Sequence, residues 1–463
     1  MIIKLLKFFV FAAAAFITIS GLFQNNRTVS RELKQPQENA KQSHAGSSGG
    51  IFDKNIAYSQ VHPFGQFYPD CNPLFENASE TQIGHALDWT PTDRLSNEEV
   101  VNILANCSSL KRHYFFPDAP LSADEAGFSL AYAILVHENL DQIIRQLQAI
   151  YWPQNIYCFH VDKKTDAIIK RGLQTLESCF DNVFIAPKSA NVHWGYFSVL
   201  LASLHCLEAL SKSAVPWRYV QILSGDDYPL RTNAETVQIF KLFNGANDEN
   251  LQMLEPMRLF TPHNLPRTYY PLPPQGVKLY KGSFQASLTR EFVHFMQTDS
   301  IAIQLLQFVK HTRVPDEIYW PTLIHNQHIG TPGSFPGKCL YHYGENGMAK
   351  PYISRFRVGQ RKGGCFTSDP KMGTCECRSR IETRMSCVYG VRDLSNLAKR
   401  PEIIAHKVYL NKQPAAYRCL AERLFNATYF GRPFSLDFYR SLPAVKYQNT
   451  VNKSQFICLN FGS

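Results

Sequence analysis

The sequence predicts an α/β protein built around a parallel sheet. Three observations lead there. Apolar runs recur from about residue 128, stretches with helical spacing separate them, and the runs end on His or Asp. Uninterrupted apolar runs suit strands buried on both faces, and strands alternating with helices suit right-handed parallel crossovers.

The first run, FSLAYAILV (128–136), reads as a strand. NLDQIIRQLQAIY (139–151) follows with Leu140, Ile143, Ile144 and Leu147 on one helical face. NIYCFHVD (155–162) is the second strand. Residues 165–176 are expected to form a helix capped by Thr165, and NVFIAP (182–187) a short third strand. GYFSVLLASLHCLEALSK (195–212) reads as a long amphipathic helix and WRYVQILSGDDYPL (217–230) as a fourth strand. Ligands of such sheets bind beyond the carboxyl ends of the strands. His137, Asp162, Asp226 and Asp227 sit at those ends, so they are expected to face one cleft. The pattern is less regular after residue 250. Proline-rich stretches at 262–274 and 332–336 and a Gly/Cys-rich one at 359–377 read as loops, with helices expected near 401–407 and 415–425. This later part reads as an extension of the sheet edge.

The chain has 463 residues, 44% of them hydrophobic, enough for one large domain or two ordinary ones. Its formal charge of +10 suits an anionic small molecule or an acidic surface. There is no Lys/Arg block, zinc-finger spacing or RNA-binding signature, so no nucleic-acid partner is expected. Residues 1–7 contain Lys4 and Lys7, and residues 8–23 carry no charge. With Leu5 and Leu6 that run approaches the roughly 20 residues of a membrane span. Positive charge ahead of it predicts a type II signal-anchor with the remainder luminal. The small residues Ala12 to Ala15 and Ser20-Gly21 leave a cleaved signal peptide as the alternative. Residues 24–55 are polar and read as a flexible stem, and 56–463 as the luminal domain. In an oxidising compartment, 12 cysteines imply disulfides. Asn26, Asn77, Asn106, Asn426 and Asn452 begin N-glycosylation sequons.

The stretches AYAILVHENLDQIIRQLQAIYWPQNIYCFHVDKK, NVHWGYFSVLLASLHCLEAL, SGDDYPLRTN, KGSFQASLTREFV, VPDEIYWPTLI and MSCVYGVRDLSNL leading into HKVYL carry a family resemblance. Together they resemble the core-2/I-branching β-1,6-N-acetylglucosaminyltransferases, whose wider family includes the peptide O-xylosyltransferases. The match runs from about residue 68 to about 425, and it rests on motif order and spacing. The resemblance implies a single Rossmann-like nucleotide-diphosphosugar fold of the GT-A type and inverting transfer in the Golgi. A nucleotide-binding half would cover about 125–250 and an acceptor-side half about 251–430.

Inverting transfer is one in-line displacement. It needs a base for the acceptor hydroxyl and positive charge for the departing diphosphate. The resemblance places the base at Glu317, with Asp316 as neighbouring candidate. It places the diphosphate contacts at Arg384 and Lys407, which together would offset UDP without a metal. Leu135, His137, Asp162 and Trp194 fall on nucleotide positions, Trp194 for stacking on uracil. A core Trp and a helix-capping Asp are the plainer readings of the last two. Asp227 matches a sugar- or backbone-orienting aspartate, while Asp226 falls at a variable position. A metal held by Asp226 and Asp227 is the alternative. For the acceptor, Gln252 stands where the branching enzymes carry Glu, and Glu255 lies close by. Their acceptor-holding aromatic pair has no clear match in YISRFRVGQ. The implied disulfides are Cys71–Cys419, Cys107–Cys179, Cys158–Cys206 and Cys377–Cys387, with Cys375 as the other candidate for Cys387. Cys339, Cys365 and Cys458 are unassigned.

The expected function is transfer of GlcNAc from UDP-GlcNAc in β-1,6 linkage onto Gal- or GalNAc-containing O-glycans, with no metal cofactor. UDP-glucose or UDP-xylose as donor is one alternative. A catalytically silent glycan-binding protein on the same fold is the other.

Overall fold

A computed structural model describes residues 70–91, 94–259, 271–342, 351–359 and 377–458. The anchor, the stem, Asn26, Cys365, Cys375 and most of the 262–274 and 359–377 loops lie outside the described residues. Among the described residues, no helix is long and apolar enough to cross a membrane.

The central sheet has the order β3-β2-β1-β4, with β8 (Ser287–Thr289) at its edge beside β4. Strands β1 (Leu130–Val136), β2 (Ile156–Val161), β3 (Val183–Ile185) and β4 (Tyr219–Ser224) are parallel. Helices α1 (Leu140–Ile150), α2 (Ala167–Ser178) and α3 (Phe197–Ser211) connect them. Each helix core falls within its expected stretch. Thr165, however, does not cap α2. That helix starts after Asp166 without a side-chain cap, and the buried Thr165 hydroxyl has no hydrogen-bond partner.

Residue parity explains why the runs were uninterrupted. On β1, Leu130, Tyr132, Ile134 and Val136 join one core with α1 and α2. Ala131 and Ala133 face the other core, with α3. Both faces are covered, so neither parity is polar. The Cys158–Cys206 disulfide joins β2 to α3 inside the second core.

The fourth apolar run divides. β4 ends at Ser224, the chain turns at Gly225-Asp226, and a short strand β5 (Asp227–Pro229) leaves in a new direction. Two buried glutamines of α1 hold this turn. Gln142 donates to the Gly225 carbonyl at 2.8 Å, and Gln146 donates to those of Ser224 and Asp227, each at 2.8 Å. Helix α4 (Asn233–Phe243) follows with a capping box between Thr232 and Glu235.

The later half adds to this frame. Strands β6 (Gln252–Met253) and β7 (Tyr280–Lys281) pair with each other, and β8 (Ser287–Thr289) extends the main sheet antiparallel to β4. Helices α5 (Arg290–Thr298), α6 (Ser300–Val309) and α7 (Asp316–His325) pack against the second core. Strands β9 (Glu382–Thr383) and β10 (Ser386–Cys387) form a tight hairpin. The helix expected near 401–407 is instead strand β11 (Ile404–His406), antiparallel to β5. Its buried Ile403, Ile404 and Ala405 fill an extended segment between two neighbours, which a short apolar run does not distinguish from a helix. Helix α8 (Pro414–Phe430) closes the third core.

Five disulfides join described residues. Four are the pairs Cys71–Cys419, Cys107–Cys179, Cys158–Cys206 and Cys377–Cys387. The fifth, Cys339–Cys458, joins two of the cysteines left unassigned in the sequence. Asn77, Asn106 and Asn452 are exposed. Asn426 is half-buried within α8, with its carbonyl oxygen enclosed and unpaired, a poor seat for a glycan.

Candidate active site

The strand order reverses between β1 and β4, and a cleft of about 540 Å³ opens beyond the carboxyl ends of these strands. Leu135, His137, Asp162, Trp194, Glu317, Arg384 and Lys407 all line it. Asp226, Asp316, Gln285, Arg355, Arg357 and His406 complete much of its polar wall.

Trp194 is 64% exposed, on the loop between β3 and α3. An exposed indole in a cleft offers a flat face for a ring. Asp162 accepts from the backbone and ammonium of Lys164, each at 2.9 Å. Burial works against that carboxylate, but the Lys164 contacts hold it below its ordinary range.

The register of β11 against β5 sets His406 opposite Asp227 and brings Lys407 to Asp226. The two aspartates differ from expectation. Asp227 is wholly buried and does not line the cleft. It accepts from the Ser224 backbone at 2.7 Å, from Gln285 at 3.1 Å and from His406 Nδ1 at 2.7 Å. It orients backbone and neighbours, and the sugar-contacting part of its expected role has no support in this placement. Burial lowers the His406 pKa in spite of Asp227, so the ring is neutral and its Nδ1–H donates.

Asp226, expected to be incidental, faces the cleft. Its Oδ2 accepts from Lys407 Nζ at 2.8 Å and from the Tyr409 hydroxyl at 2.7 Å. Burial opposes its ionisation, yet the Lys407 ammonium outweighs burial and keeps the carboxyl low. Lys407 therefore does not present a free charge. Among the described residues, no group of three or more metal-ligating side chains occurs. A divalent ion at Asp226 would have to displace an ammonium already seated there.

Arg384 is exposed and has no hydrogen bond or ion pair among the described residues. It and Met385 are the two turn residues between β9 and β10, at φ of 50° and 59°. Arg357 donates to Ser386 Oγ at 2.7 Å and to the Met385 carbonyl at 3.0 Å. Arg355 is held by Tyr352, Ser283 and Gln285. Burial and the adjacent Arg355 lower the Arg357 pKa. The cleft wall is thus strongly cationic around Arg384.

Glu317 lies in the first turn of α7, with 22% of its side chain exposed. Arg258 Nη1 is 2.8 Å from its carboxylate and Lys281 Nζ is 3.8 Å away. Each cation also holds an expected acceptor residue: Arg258 bonds Glu255 at 3.1 Å, and Lys281 bonds Gln252 at 2.8 Å. Neither Gln252 nor Glu255 lines the cleft itself, but both reach Glu317 through one cation. Asp316 is buried with one oxygen unpaired, and burial together with the Glu317 charge pushes its pKa up to about 7. Val314, two residues before Asp316, holds φ 51° and donates to the Gly195 carbonyl beside Trp194.

Arg258, Lys281, Gln285, Arg355, Arg357 and Tyr409 were not singled out in the sequence. One signal was readable. Arginines two apart in SRFRV point to one side of an extended chain while Phe356 points to the other. Phe356 is indeed buried, stacked on Tyr389.

A model of the core-2/I-branching enzyme family matches residues 130–340. The N-acetyllactosaminide β-1,6-N-acetylglucosaminyl-transferase of Mus musculus is 34% identical over 352 residues, covering 72% of this chain and 81% of that one. The chain belongs to the core-2/I-branching enzyme family. It is an enzyme of the glycosyltransferase class. The β-1,3-galactosyl-O-glycosyl-glycoprotein β-1,6-N-acetylglucosaminyltransferase 3 of Rattus norvegicus is 32% identical, covering 72% of this chain and 76% of that one. A probable β-1,3-galactosyl-O-glycosyl-glycoprotein β-1,6-N-acetylglucosaminyltransferase 7 of Homo sapiens is also 32% identical, covering 77% of this chain and 82% of its own. Among solved structures, the mannosyltransferase Ktr4p of S. cerevisiae covers 39% of this chain and 56% of its own, at 17% identity and a TM-score of 0.17, too distant to carry an argument.

Proposed function

We propose that this protein transfers GlcNAc from UDP-GlcNAc, with inversion and without a metal, onto the 6-hydroxyl of a Gal or GalNAc residue in an O-glycan. It would act as a single-pass type II protein of the Golgi membrane, anchored through residues 8–23. The observation that carries the reading is one cleft holding a carboxylate, Glu317, and an exposed guanidinium, Arg384, which has no partner among the described residues. The relatives' β-1,6 linkage and GlcNAc specificity support the donor and the bond formed.

In this reading Trp194 stacks on uracil, and the diphosphate meets Arg384 at the cationic wall. Lys407 serves mainly as the counterion of Asp226, taking the place a metal would need. The acceptor oxygen attacks the anomeric carbon as the bond to UDP breaks, and its proton passes to Glu317. Arg258 and Lys281 hold that carboxylate in place. Gln252, neutral where the branching enzymes carry Glu, makes the acceptor the part of the reaction that departs furthest from the relatives.

The test is transfer to Galβ1-3GalNAc in EDTA, offering UDP-GlcNAc, UDP-Glc, UDP-Xyl, UDP-Gal and UDP-GalNAc in turn. The expected result is transfer from UDP-GlcNAc alone, with Glu317→Gln slower by about 10²–10⁴-fold, the usual worth of a positioned base. Transfer from UDP-Glc or UDP-Xyl instead would change the donor and leave the mechanism. Activity restored only by Mn²⁺ would return the diphosphate to Asp226. UDP binding without transfer to any glycan offered would favour the glycan-binding alternative.

A further inference from the structure

The turn that carries Arg384 is built against its own backbone preference. Thr383 pairs with Ser386, so Arg384 and Met385 alone make the turn, both at positive φ. Hairpin turns of this kind favour Asn-Gly, because a Cβ crowds the backbone in the left-handed region. Non-glycine residues stay there only where the surroundings over-determine them.

Here the surroundings do. Arg357 brackets the turn from the cleft side, its Nε on Ser386 Oγ at 2.7 Å and its Nη2 on the Met385 carbonyl at 3.0 Å. Backbone contacts run alongside: Cys387 N–H donates to the Val358 carbonyl at 2.9 Å, and Gly359 bridges to Ser386. Lys412 holds Thr383 Oγ1 at 2.6 Å, and the Cys377–Cys387 disulfide ties the base of the hairpin. Two acceptors at a fixed angle require the planar fork of an arginine, which a lysine does not supply.

We infer that Arg357 is a positioning residue that locks the left-handed Arg384-Met385 turn, so that the exposed Arg384 guanidinium is aimed at the donor diphosphate before the donor arrives. The inference rests on the donor reading above. It assigns to Arg357 the bracket and not its charge. Pre-organisation of this kind lowers the ordering cost of binding.

The experiment is calorimetric titration of UDP and UMP into the full-length chain in detergent, with thermal melting as the check on folding. Arg357→Ala and Arg357→Lys are each expected to weaken UDP by about tenfold or more, narrowing its advantage over UMP, as loss of pre-organisation predicts. Adding Met385→Gly to Arg357→Ala is expected to recover about threefold or more, because glycine removes the conformational penalty the bracket was holding. Should Arg357→Ala fail to fold, Ser386→Ala removes one arm of the bracket and should weaken UDP in the same direction by less. Native-like binding by Arg357→Lys, or by Ser386→Ala, would overturn the bracket. So would the absence of recovery in the double variant, which would make Arg357 a direct phosphate contact. Failure of the native chain to bind UDP would overturn the donor reading and this inference together. Native binding indifferent to Arg357 would overturn this inference alone.

Discussion

Asp316 and Glu317 are adjacent in sequence and differ in environment. Glu317 meets Arg258 in the open cleft, while Asp316 is enclosed beside it with an unpaired oxygen and a pKa pushed up to about 7. A carboxyl whose folded pKa lies above its unfolded value binds more protons folded than unfolded. It therefore costs nothing below about pH 4, and its cost grows as pH rises to about 7, where it levels off. At about 1.4 kcal/mol per pKa unit the upper bound is roughly 4 kcal/mol. Asp316→Asn should gain stability over the native chain at pH 8, and the gain should shrink progressively towards pH 4. Denaturant unfolding across that range checks it, and a gain independent of pH would remove titration as the cause. Both carboxylates were legible in the sequence as one motif. Their division of labour was not, because Arg258 and Lys281 come from segments with no motif of their own.

Elements place these residues, and the turn at Ser224–Asp227 shows how. Three of its carbonyls are satisfied by Gln142 and Gln146, one helical turn apart on α1. Gln146→Ala would leave the Ser224 and Asp227 carbonyls buried without this partner. At about 1–3 kcal/mol for each of the two unsatisfied groups, the fold should lose roughly 2–6 kcal/mol. UDP affinity should fall with it, because Asp226 lies in this turn and holds Lys407. Calorimetry of UDP beside a urea melt reads both, and loss of stability with native affinity would separate the clamp from the site. The apolar spacing of α1 was plain in the sequence, but nothing in that spacing marks Gln142 and Gln146 as buried. Likewise β11 was mistaken for a helix. Three buried residues in a row carry no period, and only the partner strand β5 makes them extended.

At the scale of the whole molecule, the parallel sheet was readable because its strands and helices are local and strongly patterned. The charge pairing was not. Asp226 and Lys407 are 181 residues apart, and only the β5–β11 register brings them together. The same holds for the chain end. Arg432 bonds Glu235 across α4, and Cys458 bonds Cys339, so the C-terminal segment is part of the domain although the resemblance stopped near residue 425.

The disulfides Cys71–Cys419 and Cys339–Cys458 both span the stretch between Cys339 and Cys377. A protease that cuts once within that stretch would separate Glu317 from Arg384 along the chain, yet leave the two pieces tied at both ends. Nicked protein should migrate as one band on a non-reducing gel and as two after dithiothreitol. Secreted or shed enzyme of that kind would pass for intact in any assay that omits a reductant.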